Sequence, residues 1–473
     1  MRSKGLNKRS GLWLCAALCC AVFFVTGCGK NFYFAGRILP PSKVKNRVLI
    51  AIQNPGPFNK GQLLFVDAFY DIRHSFDNKL PQFSIGGFGG AQPITIQNIP
   101  EHQNGAIYNS GDGSLVLADY ATEAAQAAIG GLAGPSSSVF ITQDLRFVYA
   151  ASQQSHALTV LDRGLGASYY LNIPGIFRVS VNPSGTVVLA FVQNSDTVYS
   201  LVHLQANQIL PPSVHAADCE PQNLPIYCAV PVVDKLGNPI KFDRPTKAVF
   251  SPDGSTGYVL NCGPECGGSQ ASVSYLPTAG VIVNSGTSSV APGAGLDLTG
   301  SIPIPGGATN ALPAGNTLYV AGQQLQPDGL FSGNLTVLDA AGQKVSGQYG
   351  ITDGPHSKMI LADDNTLWIG STLCQEGERY LGSASTAVDK TTGCLAMFNT
   401  ATQAVMFDSY KGDLTGLAAV TLLHKLYVAE GGQVHIYSTV DGHELDNSQV
   451  TITGTAYDVA YMDGGSNGNN TTY

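Results

Sequence analysis

Residues 251–261 read SPDGSTGYVLN, and this stretch decides the fold because weaker copies of it recur along the chain. An apolar segment precedes it, an Asp-Gly pair stands near its start, and Tyr258 and Val259 lie in the segment that ends it. Asp-Gly supplies the positive φ of a hairpin turn, and alternating apolar and polar residues are typical of half-buried strands. The stretch therefore predicts two antiparallel strands within a larger sheet.

The same strand–turn–strand pattern, followed by a third strand, recurs in eight units. Their second strands start near residues 47, 105, 147, 187, 257, 317, 366 and 425. The spacing fits four-stranded propeller blades of about 40 to 45 residues, with the excess in insertions after residues 203, 277 and 371. We predict an all-β fold, a single β-propeller with eight blades, or with seven if one unit is an insertion.

The two ends of the repeat region predict how the ring closes. The first unit has no clear leading strand, whereas TAYDVAYM at residues 455–462 matches the leading strands of other units. Pairing strands from the two ends of the chain within one blade removes two exposed sheet edges. We therefore expect residues 46–463 to form the propeller and residues 464–473 to be a disordered tail.

Composition excludes several classes of protein. Charged residues make up 12% of the 473 residues, against an average of about 25%, and hydrophobic residues make up 44%. The chain has more apolar residues than a disordered chain, which is why disorder is excluded. It has fewer Glu, Lys and Arg residues than a coiled coil, which excludes that class. The net charge is −8 and becomes −12 once residues 1–27 are removed, which argues against binding to nucleic acid or to an anionic membrane surface.

The first 27 residues are predicted to be a signal peptide, with four basic residues followed by an apolar run at 11–26. The run ends in Val-Thr-Gly-Cys, which resembles the bacterial lipobox. We predict a lipid on Cys28, with residues 28–45 as a tether, and the glycine after this cysteine favours the outer over the inner membrane. The alternative is an ordinary secretory signal with an incidental cysteine. In either case the chain is exported to the cell envelope or beyond.

Cysteine usage supports export. Of ten cysteines, three leave with the signal peptide, and Cys28 is the predicted anchor. The six that remain are Cys219, Cys228, Cys262, Cys266, Cys374 and Cys394. An even number in an exported chain suggests disulfides, and pairing of sequence neighbours gives three, although sequence alone leaves the connectivity open. A metal or redox site at residues 262–266 is the alternative, but a zinc site needs four ligands and no second cluster or histidine is near.

The stretch 251–261 and the recurring phrases LYVA and TVLD resemble the repeats of YVTN-family β-propellers. The resemblance covers most of residues 46–462, and only residues 251–261 carry the phrase almost complete. Residues 141–152 and 181–194 look like decayed copies. The resemblance implies an exported bacterial or archaeal protein with a ring of seven or a related number of blades. It implies no single activity, because propellers host binding proteins, lactonases and cytochrome domains alike.

Catalytic motifs are scarce. The pattern G-x-S-x-G occurs once, at residues 464–468, without the strand and helix that a nucleophile elbow requires. Among the nine histidines, His356 directly precedes a predicted inner strand at 357–361, a position that tends to face the mouth of the channel. Asp353 is placed to orient its ring. His356 and Asp353 are therefore our candidate channel site, and the alternative is a loop histidine bonded to backbone.

Amide side chains suggest a binding face. They follow several second strands and are Gln153, Gln154, Gln323, Gln324 and Asn261. Ends of equivalent strands meet on one face of a propeller, where amide and aromatic groups suit carbohydrate or peptide ligands. The alternative is solvated loop surface.

These observations favour a binding or scaffold module for a protein or carbohydrate partner, anchored by lipid at the cell envelope, over an enzyme. No residue is assigned to catalysis, to a metal or to a cofactor. The alternatives are a lactonase-like hydrolase or lyase and a metal or redox propeller, each with its site in the channel. Three or more His, Asp or Glu side chains converging there favour these alternatives, whereas an apolar channel favours a scaffold. The identity of the partner and the oligomeric state stay open.

Overall fold

The structure is a computed structural model. It describes residues 40–54, 61–74, 83–85, 92–204, 219–220, 226–234, 238–281, 300–375, 392–409 and 411–463. The predicted signal peptide, Cys28, most of the tether and the tail 464–473 lie outside the described residues, as does most of the three long insertions. In the described part of the chain, no helix has the length and apolar character needed to span a membrane.

Eight antiparallel sheets form a ring, and each sheet is one blade. Blade 1 contains β1 (Arg47–Gln53) and β2 (Gln62–Asp67). Blade 2 contains β3 (Pro93–Asn98), β4 (Asn104–Asn109), β5 (Leu115–Asp119) and β6 (Ala124–Ile129). Blade 3 contains β7 (Ser138–Ile141), β8 (Phe147–Ser152), β9 (Ala157–Asp162) and β10 (Ala167–Asn172). Blade 4 contains β11 (Ile176–Val181), β12 (Val188–Val192), β13 (Val198–Leu204), β14 (Cys219–Glu220) and β15 (Ile226–Pro231).

The remaining blades repeat this arrangement. Blade 5 contains β16 (Pro245–Phe250), β17 (Thr256–Asn261), β18 (Ser272–Pro277) and β19 (Ser301–Pro303). Blade 6 contains β20 (Gly307–Ala314), β21 (Thr317–Leu325), β22 (Phe331–Asp339) and β23 (Lys344–Ile351). Blade 7 contains β24 (His356–Leu361), β25 (Thr366–Cys374), β26 (Thr392–Asn399) and β27 (Val405–Ser409). Blade 8 contains β28 (Leu414–Val420), β29 (Lys425–Glu430) and β30 (Gln433–Ser438), and the last strand, β31 (Thr455–Tyr461), joins blade 1.

The all-β propeller fold is confirmed, and the number of blades is eight rather than seven. The hairpin predicted from residues 251–261 joins β16 to β17. At its turn, Oδ1 of Asp253 accepts hydrogen bonds from the hydroxyl of Ser251 at 2.6 Å and the backbone N–H of Ser255 at 3.1 Å. Gly254 takes the left-handed conformation, with φ at 70°. The Asp-Gly pair therefore forms the turn that its sequence predicts.

The hydrophobic core lies between neighbouring blades. Between blades 8 and 1, for example, Tyr427 and Ile436 belong to one buried cluster with Val48, Ile50 and Val459. Complete burial of such a side chain stabilises the fold by about 1.5–3 kcal/mol. Each blade buries both of its faces against the two neighbouring blades, so the stability of the ring depends on the presence of every blade.

Ring closure is confirmed. β31 pairs with β1 in antiparallel register, from Val48 opposite Tyr461 to Gln53 opposite Thr455. An ion-pair cluster, which we call the Arg47 clasp, lies beside this pairing. The Arg47 side chain is 1% exposed and lies 2.7 Å both from Oε1 of Glu123 in blade 2 and from Oδ1 of Asp463 after β31. The clasp therefore ties both ends of the propeller to the next blade.

All three predicted disulfides are present. Cys219–Cys228 joins β14 to β15 at the outer edge of blade 4. Cys374–Cys394 joins β25 to β26 where the insertion 376–391 begins and ends. Cys262–Cys266 closes a short 3₁₀ turn directly after β17. Residues 262–266 therefore form a disulfide rather than the metal or redox site considered as the alternative.

Candidate functional site

The innermost strand of each blade lines the central channel, and seven of these eight strands carry a β-bulge near their start. In β11, Ile176 pairs with Val192 and Arg178 pairs with Phe191, so Phe177 is the extra residue. A bulge redirects the side chain that follows it. The residues after the seven bulges, which we call the channel ring, are Thr95, Arg178, Lys247, Asn310, Lys358, Gly416 and Asp458.

Two members of the channel ring, one from blade 7 and one from blade 1, form an ion pair next to blade 8. Nζ of Lys358 in blade 7 lies 3.0 Å from Oδ1 of Asp458 in blade 1. Gly416 of blade 8 makes room for it, because a Cβ at Gly416 would lie 2.7 Å from the same Oδ1. The other carboxylate oxygen accepts a hydrogen bond from the backbone N–H of Ile96 at 2.9 Å. Burial raises the pKa of Asp458, and Lys358 opposes this effect without cancelling it.

Lys247 adds a second basic group to the ring. It is buried, and its Nζ donates a hydrogen bond to Oδ1 of Asn310 at 2.7 Å. An amide has no charge, so this bond does not neutralise the ammonium group. Burial lowers the pKa of Lys247 well below the usual lysine range, and the charges of Arg178 and Lys358 lower it further. The channel ring thus holds three basic side chains and one carboxylate, although the whole chain is acidic.

Arg178 is the third basic member of the ring. Among the residues that the structure describes, its guanidinium has no hydrogen-bond or ion-pair partner, and burial alone lowers its pKa. Arg178 also lines a cavity of about 500 Å³ where the inner strands of blades 3, 4 and 5 begin. We call this cavity the cleft. Arg178 therefore connects the channel ring with a space large enough for a small ligand.

The wall of the cleft is polar. Its amide and hydroxyl side chains belong to Ser137, Gln153, Gln193, Asn194, Ser195 and Thr246. The turn closed by Cys262–Cys266 places Glu265 on the same wall. The disulfide thus fixes the loop that carries the one acidic side chain among the described lining residues.

Two of the three charged groups of the cleft, Arg178 and Oε2 of Glu265, have no partner among the described residues. Arg244 is engaged, because its Nη2 donates to the carbonyl oxygen of Gly267 at 3.3 Å and its Nε lies 3.7 Å from Asp196. By contrast, Oε2 of Glu265 is buried and has no hydrogen-bond partner in the described part of the chain. The cleft therefore offers one unsatisfied donor group, on Arg178, and one unsatisfied acceptor, on Glu265. Buried polar groups normally have partners, so a ligand is a natural source of both.

The structure separates the amide side chains predicted to form a binding face. Gln153 lines the cleft, and its Nε2 donates to Oε1 of Gln193 at 2.7 Å. Gln154 lines an adjoining cavity that shares Gln153 with the cleft. Asn261 is buried and bonded to two serines of its own blade, and Oε1 of Gln323 accepts a backbone N–H. Of the five predicted amides, only Gln153 and Gln154, which follow β8, line these described cavities.

His356 begins β24 and is 2% exposed. Its Nε2 donates to the carbonyl oxygen of Thr352 at 2.7 Å, so its Nδ1 accepts the hydroxyl of Thr309 at 2.8 Å. Burial lowers the pKa of His356 to about 4 despite the bond with Thr352. Asp353 is also buried, and its Oδ2 accepts the backbone N–H of Gln375 at 2.8 Å. These bonds connect blades 6 and 7, and a binding role for His356 and Asp353 stays a prediction.

A second group of titratable side chains lies on the opposite face, after the far ends of β24 and β28. Nδ1 of His424 is 2.5 Å from Oδ2 of Asp363 and 2.8 Å from Oδ2 of Asp364. Their ligand atoms are close enough to hold a metal ion together, and the described residues contain no other such group. The hydrogen bond with Asp364 raises the pKa of His424. A protonated imidazole between two carboxylates accounts for this geometry, so we assign no metal to it.

Sequence reasoning missed the basic members of the channel ring, although a signal for them exists. Aligning the leading strands places Arg178 of FRV, Lys247 of TKA, Lys358 of SKM and Asp458 of YDV at one position. A charged residue in the same place of several repeats is unusual for a strand that lines a core. This comparison within the chain would have found the site.

No protein-family model matches the sequence, and no curated protein matches it. Solved structures do match. Dihydro-heme d1 dehydrogenase NirN has a TM-score of 0.50 at 11% identity, over 90% of this chain and 76% of that chain. Kuenenia stuttgartiensis hydrazine synthase has a TM-score of 0.42 at 15% identity, over 67% of this chain and 81% of that chain. A functionally unknown protein from Desulfotomaculum acetoxidans has a TM-score of 0.44 at 12% identity, over 88% of this chain and 98% of that chain. At 11% identity, the likeness to NirN shows the fold alone.

Proposed function

We propose that this protein is a carbohydrate-binding β-propeller of the cell envelope and that the cleft is its binding site. The observation that carries the proposal is a cavity of about 500 Å³ with amide, hydroxyl and carboxylate groups on its wall. Small-molecule sites typically measure about 300–1,000 Å³. Amide and carboxylate groups can hydrogen-bond the hydroxyls of a sugar, which both donate and accept.

A glycan suits this site better than a protein surface does. Stable protein interfaces bury at least about 1,000 Å² and rely on apolar or aromatic anchors at their centre. The cleft is instead a compact polar cavity, and Phe177 is its one aromatic wall residue among those described. A single sugar unit, or the end of a chain of sugars, fills such a space.

The channel gives limited support to an enzyme. Convergence of three or more His, Asp or Glu side chains would favour catalysis, and an apolar channel would favour a scaffold. The described channel ring is instead mainly basic and amide, with Asp458 as its carboxylate. Basic and amide groups bind ligands by charge and hydrogen bonds, so a binding module remains our proposal.

We place the protein at the cell envelope, as a YVTN-family lipoprotein anchored through Cys28, with the outer membrane favoured. Three disulfides support export, because such bonds persist in oxidising compartments. Mass spectrometry of the mature N-terminus tests the anchor. The expected product begins at an acylated Cys28, and a mature chain that begins at any other residue contradicts it.

A glycan array tests the binding function. Gln153 and Gln193 are bonded to each other on the cleft wall, so the double substitution Gln153→Ala and Gln193→Ala removes two ligand-facing amides. We expect glycan binding to weaken at least about tenfold, because two neutral hydrogen bonds are lost. The matched control is Gln324→Ala, which removes an exposed amide of blade 6. If the chain binds peptides and no glycan, or if the double variant binds like the native chain, the proposal is wrong.

A further inference from the structure

We propose that the ligand of the cleft carries a negatively charged group, a carboxylate, sulfate or phosphate, and that Arg178 binds this group at the entrance to the channel. The inference rests on the proposed carbohydrate function and specifies its ligand as an acidic sugar. It follows from a guanidinium that has no partner in the described part of the chain, from the charges around it and from the size of the cavity.

Arg178 has no described partner and lies beside the cleft. It follows the bulge of β11, which makes it a member of the channel ring, and it is also a lining residue of the cleft. A guanidinium presents five donors in a planar fork that matches a carboxylate or a phosphate with two parallel hydrogen bonds. Burying such a charge without a partner is costly, and a bound anion removes that cost. No protein carboxylate among the described residues takes this position.

The charged groups of the channel ring are only partly paired with one another. Asp458 neutralises Lys358 at 3.0 Å, whereas Lys247 has only the amide of Asn310 and Arg178 has no described partner. Two basic groups on neighbouring blades 4 and 5 thus have no carboxylate partner among the described residues. Burial lowers the pKa of Lys247 and the charge of Arg178 lowers it further, so the two groups share one electrostatic environment. Both are stabilised when an anion enters it.

The size and the wall of the cleft favour an acidic sugar over a free inorganic anion. A cavity of about 500 Å³ is far larger than one phosphate ion requires. The wall also carries Glu265, whose Oε2 is buried and unpartnered and can accept a hydrogen bond from a hydroxyl group. A carboxylate on the wall repels a compact polyanion. Arg178 and Glu265 therefore orient a ligand that has an acidic group at one end and hydroxyls at the other.

The experiment compares neutral sugars with their uronic, sulfated and phosphorylated counterparts on one glycan array, followed by calorimetric titration of the best pair. We expect the acidic member to bind and its neutral counterpart to bind at least about tenfold more weakly. In Arg178→Gln, affinity for the acidic member falls about 10- to 100-fold, the range of one charged hydrogen-bonded contact. The matched control is Arg163→Gln, which removes an exposed arginine of blade 3 bonded to the carbonyl of Leu145.

Folding is checked in the same samples. Because Arg178 has no described partner, Arg178→Gln is expected to unfold at the native temperature or above it. If that variant does not fold, Arg178→Lys retains the charge without the planar fork, and an intermediate affinity for the acidic sugar supports the same conclusion. Affinity unchanged in Arg178→Lys and also in a folded Arg178→Gln overturns the inference.

The outcomes distinguish this inference from the function on which it rests. In one outcome, neutral and acidic sugars bind equally well, and the Gln153 and Gln193 double variant loses both. This result overturns the inference that the ligand is charged but retains the carbohydrate-binding function. Titration with inorganic phosphate is the second arm. If no glycan binds while phosphate binds and Arg178→Gln abolishes it, the carbohydrate function is wrong and the anion site stands. If neither glycan nor phosphate binds, both are wrong.

Discussion

At the scale of single residues, the surroundings of a titratable group separate structural from ligand-binding roles. His356 has both ring nitrogens bonded within the fold, whereas Arg178 has no described partner and borders a cavity. His356 is buried and Arg178 is half-buried, and desolvation lowers the pKa of both. What differs is whether the protein supplies the hydrogen-bond partners. This criterion makes Arg178 the better candidate for binding.

The pKa of His356 leads to a prediction about stability. Between pH 6.5 and 4, the histidine of the unfolded chain binds a proton that the folded chain does not take up, so stability falls as the pH falls. The substitution His356→Asn removes this effect. Its destabilising cost should therefore be largest above pH 6.5 and shrink by up to about 3 kcal/mol as the pH approaches 4. Urea unfolding of both proteins across this range measures the difference.

The control is His102→Asn at an exposed position, whose effect on the free energy of unfolding should be small. If the cost of His356→Asn is the same at pH 4 and pH 7.5, the imidazole titrates alike in the folded and unfolded chains. The described hydrogen bonds would then not hold it neutral.

Some residues of the site were predictable from sequence and others were not. Gln153 was predictable because it follows a second strand, and ends of equivalent strands meet on one face. Arg178 and Lys247 were not singled out, because the bulge before each adds one residue and reverses the alternation by which buried and exposed positions are told apart. A bulge depends on contacts between strands, and a single strand sequence does not reveal it.

At the scale of elements, the repeating bulge determines what faces the channel. Blade 8 shows the constraint most clearly, because Gly416 follows its bulge and leaves the space that the Lys358–Asp458 pair occupies. A Cβ at this position would lie 2.6 Å from the backbone N of Val459. The contact is with backbone as well as with a side chain, so it cannot be relieved by a change of rotamer alone.

We therefore predict that Gly416→Ala destabilises the protein by about 1–3 kcal/mol, the usual cost of overpacking. The control Gly350→Ala changes a glycine within β23 whose added Cβ would meet nothing within 4 Å, and it should alter stability by less than about 0.5 kcal/mol. Denaturant unfolding of the two variants measures both effects. Equal stability of the two variants would show that the inner strands yield at Gly416.

The strands themselves were largely predictable. Second strands expected near residues 147, 317 and 425 begin at Phe147, Thr317 and Lys425. These strands are buried on both sides by neighbouring blades, and their Val, Tyr and Leu content makes them visible in the sequence. Outer strands are harder to see. β6 reads AAQAAI, and none of its residues is buried, so it carries little hydrophobic pattern.

At the scale of the whole molecule, closure depends on the last strand. β31 covers one edge of β1, contributes Asp458 to the channel ring and leads into Asp463 of the Arg47 clasp. Removing it exposes the edge of β1 and leaves the core between blades 8 and 1 incomplete. Several independent stabilising contributions are therefore lost together.

We predict that truncation before Thr455 lowers the unfolding temperature strongly and broadens the transition, because the ring loses its closing strand. Differential scanning calorimetry of the purified chains measures this effect. The matched control ends at Asp463, which retains β31 and the clasp, and it should melt like the full chain. A chain truncated before Thr455 that melts like this control would rule out closure as a source of stability.

The Arg47 clasp also sets a timetable for synthesis. Arg47 and Asp463 are 416 positions apart, and ribosomes add about 5–20 residues per second. Roughly 20 to 80 s therefore pass between the appearance of β1 and that of its partner β31. Blades 2 to 7 can form from adjacent sequence during this interval, while the apolar strand β1 waits with an open edge. Newly made chains are thus prone to aggregation at this edge, and a chaperone that covers it would raise the yield.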